Sequence, residues 1–129
     1  MGRKIEVTIN DVLYVGDTSP ARDQLEMLTI ASQFGLLAGT AKNVGDMAVV
    51  TVLSTLNMAT IERLKELVLR KGNFKRTIDD VPVAENMFQD EIHNFLLLIG
   101  RALGDNIGPF WKLNRVGPDE EVMEIENQT

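Results

Sequence analysis

The chain of 129 residues contains no cysteine, one histidine and one tryptophan. Without cysteine there is neither a disulfide framework nor a thiolate site. A zinc site needs three or four nitrogen, sulfur or carboxylate ligands. His93, with Asp90 and Glu91 beside it, falls short of that set and reads as a helix-surface histidine or one packed beside an apolar face. Gly35, Gly39 and Gly45 are too loosely spaced for a phosphate loop, and no Gly-Lys-Ser/Thr follows them. Ser19, Ser32 and Ser54 lack the flanking glycines of a nucleophile elbow. Asp79-Asp80 and Glu120-Glu121 are paired acids, but hydrolytic pairs must face each other across a cleft, and neighbours in a loop or tail do not. No convergent polar set remains, which excludes an enzyme, a cofactor and a metal at this level.

Cationic excess is missing too. The formal net charge is −6, and Asp119, Glu120, Glu121, Glu124 and Glu126 crowd five acids into the last dozen residues. Without them 14 acids face 13 bases. Arg63, Arg70, Lys71, Lys75 and Arg76 form the one basic cluster, and Asp79 and Asp80 follow at once. That argues against a nucleic-acid partner. No apolar run is long enough for a bilayer, and the first residues lack an apolar signal region, so a cytoplasmic chain with no membrane partner is expected.

What is present is apolar helix. From Ala84 to Leu113, Phe88, Ile92, Phe95, Leu96, Ile99 and Leu103 recur at steps of three and four. Leu97, Leu98 and Ala102 widen that stripe, so the helix should be buried on several sides or pack on a second chain. Glu85, Gln89, Asp90, Glu91 and Asn94 keep its first half wet, and Gly104 is its expected left-handed stop. Phe110 and Trp111 follow a turn-rich Asp105–Pro109. Two readings stand: both rings cover the end of the long helix, which carries the greater weight, or one plugs the core and the other stays available to a partner.

The rest reads in order as follows. Ile5, Val7 and Ile9 alternate with Glu6 and Thr8, Asn10-Asp11 suits a two-residue turn, and Val12–Val15 returns. That hairpin sets Ile9 beside Val12 and Val7 beside Tyr14. Thr18-Ser19-Pro20 predicts a hydroxyl-capped helix with proline at its first position. Leu25, Met27, Leu28, Ala31, Phe34 and Leu37 give its apolar face, and Gly39 its end. Asp46 is positioned to cap a second helix through Leu56, for which a strand competes because of its valines. Ile61, Leu64, Leu67 and Val68 continue helical spacing to a stop at Gly72. Asn73–Pro82 reads as a connecting loop pinned by Phe74, Ile78 and Val81. The expected fold is mainly α: an N-terminal β-hairpin packed on about four helices within residues 1–117, then an acidic mobile tail over 118–129.

The layout resembles the tail assembly chaperones of long non-contractile-tailed (lambda-like) bacteriophages. The residues that carry the likeness are the opening hairpin, the helix Ser19-Pro20-Ala21-Arg22-Asp23-Gln24-Leu25-Glu26-Met27-Leu28, and the apolar helix running into Asp105-Asn106-Ile107-Gly108-Pro109-Phe110-Trp111. The resemblance implies a non-catalytic protein of the host cytoplasm, absent from the mature virion. It would bind the tape measure protein and keep it soluble while the tail tube polymerises. It further implies homo-oligomers and, through an extended product, contact with the tail tube protein. Leu97, Leu98, Phe110 and Trp111 are the expected partner-binding residues. A structural tail or connector/completion protein retained in the virion is the alternative.

Overall fold

The computed structural model describes residues 2–40 and 43–108. Strands β1 (Lys4–Ile9) and β2 (Val12–Asp17) form the hairpin, in the register the alternation requires: Ile9 opposite Val12, Val7 opposite Tyr14. Asn10 and Asp11 both take positive φ, 50° and 65°, the left-handed pair that matches a turn to strand twist. Ile5, Val7, Ile9 and Tyr14 are buried on one face, while Lys4, Glu6 and Thr8 stand in solvent.

The expectation of a mainly α fold is corrected at the second half of the sheet. Residues 73–82 are not a plain loop. They hold β3 (Lys75–Arg76) and β4 (Val81–Pro82), which extend the hairpin into a four-stranded antiparallel sheet in the order β1-β2-β3-β4. The architecture is α+β, with 54% helix against 15% strand among the described residues. Two-residue strands have no period to read, which is why the pattern hid them. Phe74 is buried as expected, but Ile78 is 83% exposed and Val81 lies at the surface, so neither pins the segment.

Helix α1 (Ala21–Gln33) starts one residue after Pro20, and neither upstream hydroxyl caps it. Thr18 Oγ1 instead accepts from the Arg3 backbone N–H, and the Ser19 hydroxyl donates to the Leu67 carbonyl at 2.6 Å. Gly35, at φ 71°, breaks the predicted single helix, and a short α2 (Leu36–Gly39) follows. Helix α3 (Asp46–Leu53) settles the helix-or-strand question for helix. Gly45, not Asp46, is its cap residue; Asp46 opens the first turn and pairs with Arg101. Asn57 caps α4 (Met58–Leu64), its Oδ1 accepting from the Thr60 N–H at 2.8 Å. The chain then widens into a π-helical turn over Lys65–Arg70.

Helix α5 (Ile92–Asn106) is the axis of the body. It packs against α3, β1, the π turn and the 3₁₀ turn over Glu85–Phe88. It starts later than the apolar period implies, because Asp90 sits at φ 68° and separates it from the 3₁₀ turn. Phe88 still packs with it: the Phe88 ring lies 5.7 Å from Tyr14 and 5.5 Å from Phe95, joining sheet to helix. Gly104 does not stop the helix, which continues to Asn106. A Cβ there would lie 2.3 Å from the Thr40 backbone oxygen, so the glycine admits a neighbouring chain segment instead.

Candidate functional site

The largest set of buried polar groups gathers where the start of α1 meets the end of α5. The Ser19 N–H donates to Asn106 Oδ1 at 2.8 Å, and Asn106 Nδ2 donates to the Ala102 carbonyl. Gln24 Nε2 reaches the Asn106 carbonyl, and the Arg3 guanidinium donates to the Asp105 carbonyl at 2.7 Å. With the Ser19–Leu67 bond, this knot ties the hairpin, α1, the π turn and α5 together. Among the described residues no base bonds to the Ser19 hydroxyl, which is spent on the Leu67 carbonyl. The knot satisfies buried groups; it does not present an activated atom.

The basic cluster is neutralised in place. Arg63 pairs with Glu26 at 2.6 Å, Arg70 with Glu66, and Arg76 with Asp79 at 2.7 Å. Lys71 lies 3.5 Å from Asp23 and Lys75 3.7 Å from Asp80. Hydrogen bonds from Arg63, Arg70 and Arg76 hold the Glu26, Glu66 and Asp79 carboxyls below their ordinary values. Five cations face five carboxylates. The adjacent acids Asp79 and Asp80 thus serve two different cations. His93 is exposed on the first turn of α5, and no group of three potential metal ligands occurs among the described residues. A shallow cleft of about 100 Å³ lies between Leu69, Phe74 and Val83, below the size at which small-molecule sites begin.

Of the residues expected to grip a partner, Leu97 and Leu98 belong to the core, the latter with no exposed surface. Phe110 and Trp111 lie outside the described residues, as do Glu120, Glu121 and the acidic tail. Large apolar side chains do face solvent: Ile78 between β3 and β4, Ile92 at the first turn of α5, and, on other helices, Met47 at 82% exposure, Met58 at 66% and Leu25 at 57%. The last three each stand on an outward polar stripe. Leu25 shares its face with Thr29 and Ser32, Met47 with Thr51 and Ser54, and Met58 with Glu62, all exposed. That i, i+4, i+7 company is the signal by which sequence reasoning could have found them. The apolar spacing hides it, because Leu25 falls in one run with the buried Met27 and Ala31, which lie on the opposite side of α1.

No helix among the described residues is long and apolar enough to cross a membrane. Comparison with protein-family models, curated proteins and solved structures finds no match to this chain.

Proposed function

We propose that this protein is a phage tail assembly chaperone, non-catalytic, that binds the tape measure protein and keeps it soluble in the host cytoplasm. The observation that carries the reading is the set of large apolar side chains held outward on three helices, Leu25, Met47 and Met58, beside a polar knot with no reactive group. Methionine is unbranched and polarisable, so it suits a surface that must fit an apolar helical stripe and then release it. The layout likeness to the lambda-like chaperones supplies the partner. Phe110 and Trp111 extend the proposed contact set beyond the described residues.

Co-expression with the tape measure protein of the same phage tests this. The expected result is a soluble complex, weakened when Met47 and Met58 are both replaced by Gln. Equal solubility of the tape measure protein without this chain overturns the proposal. Mass spectrometry of purified virions is expected to miss the protein; stoichiometric presence would assign it to the particle as a structural component instead.

A further inference from the structure

The two edges of the sheet differ. β4 is two residues long and ends in Pro82, a blunted edge. β1 is six residues long, without proline, and no other strand among the described residues lies on its outer side. Its hydrogen-bonding phase follows from the hairpin. The Thr18 N–H donates to the Arg3 carbonyl at 2.8 Å, and Ile5, Val7 and Ile9 share that phase opposite Gly16, Tyr14 and Val12. The N–H and C=O groups of Lys4, Glu6 and Thr8 therefore point away from β2. None of these groups has a hydrogen-bond partner among the described residues. Neither the Lys4 nor the Glu6 side chain forms an ion pair there.

We infer that β1 is a self-association edge, on which a second copy of this chain pairs antiparallel about a two-fold axis at Ile5. Charge selects this register. A two-fold at Lys4 would oppose Lys4 to Lys4, one at Glu6 would oppose Glu6 to Glu6, and one at Val7 would leave Glu6 opposite Thr8. Only the axis at Ile5 sets Lys4 of each copy opposite Glu6 of the other, twice, on the solvent face. The outward groups of Lys4 and Glu6 then pair with each other across the axis, and those of Thr8 pair with Gly2. The result is one continuous eight-stranded sheet, with Ile5, Val7 and Ile9 of both copies on its covered side. This rests on the sheet edge alone and is independent of the chaperone reading.

Sedimentation equilibrium of the full chain and two charge variants tests it. The wild type is expected to dimerise reversibly. Lys4→Glu and Glu6→Lys should each raise the dissociation constant by about tenfold or more. An equimolar mixture of the two variants should recover wild-type association, because each then meets its complement. Amide hydrogen exchange on the wild type reads the same contact without substitution: Lys4, Glu6 and Thr8 gain protection as concentration rises, while Ile5 and Val7 are protected throughout. A chain that stays monomeric to about 1 mM, or single variants that associate like the wild type, overturns the inference. A mixture that fails to recover association overturns the register.

Discussion

Helix α5 and the pair α3–α4 make opposite uses of apolar residues. α5 is the longest helix among the described residues, and its apolar run reads as a surface to spare. Leu97, Leu98 and Leu103 are buried instead, walled in by β1, α3, the π turn and the 3₁₀ turn. α3 and α4 are short, yet they hold Met47 and Met58 in solvent. Apolar density in a sequence therefore marks the axis of the core. An isolated large hydrophobe on a polar stripe marks the surface that is left uncovered.

Substitutions sharpen that contrast, and the largest effect is expected in α5. Leu98→Ala removes a fully buried side chain from the helix's most enclosed face and should cost about 3–4 kcal/mol, read as a lower urea midpoint at unchanged m-value. If Leu98 faced a partner instead, the isolated chain would lose almost nothing. Asn106→Ala leaves the buried Ser19 N–H without its acceptor and should cost about 2 kcal/mol, with Asn106→Asp losing less because it keeps an acceptor oxygen.

Gly104→Ala should destabilise by about 1–2 kcal/mol, because the close approach of Thr40 outweighs the better helix propensity of alanine. A glycine acting only as a helix stop in solvent would not meet that neighbour, so a stabilised variant would break the packing account. Smallest of all, Met47→Gln and Met58→Gln should each shift stability by less than about 0.5 kcal/mol. Thermal unfolding checks this: a drop comparable to that of Leu98→Ala would place the methionines in the core.

The two hairpins of the sheet show what could be read in advance. In the first, six alternating residues and Asn10-Asp11 specify strand, turn and register together, since a one-residue slip would turn Ile5, Val7 and Ile9 to water. The second pairs only Lys75 with Pro82 and Arg76 with Val81. It exists because β2 offers an edge: the Thr77 N–H donates to the Leu13 carbonyl, and the Asp17 N–H to the Gly72 carbonyl. No local preference of Lys-Arg or Val-Pro announces that. Thr18 and Ser19 mislead for a related reason. Their hydroxyls are good caps, but Arg3 and Leu67, distant in sequence, offered partners inside the body. The exposed methionines of the candidate site were not legible, because they needed the helix orientations that packing set.

By itself, the sequence determined the first hairpin with its register and the positions of α1, α3, α4 and most of α5. Those follow from periodicity, turn residues and composition, which act between near neighbours. Only the tertiary structure decided that Gly104 lies within a helix, that residues 73–82 complete a sheet, and which hydrophobes remain in water. These outcomes depend on contacts between segments far apart along the chain, such as Thr40 against Gly104 and β2 against β3. Close packing sets those distances, and no local pattern encodes them.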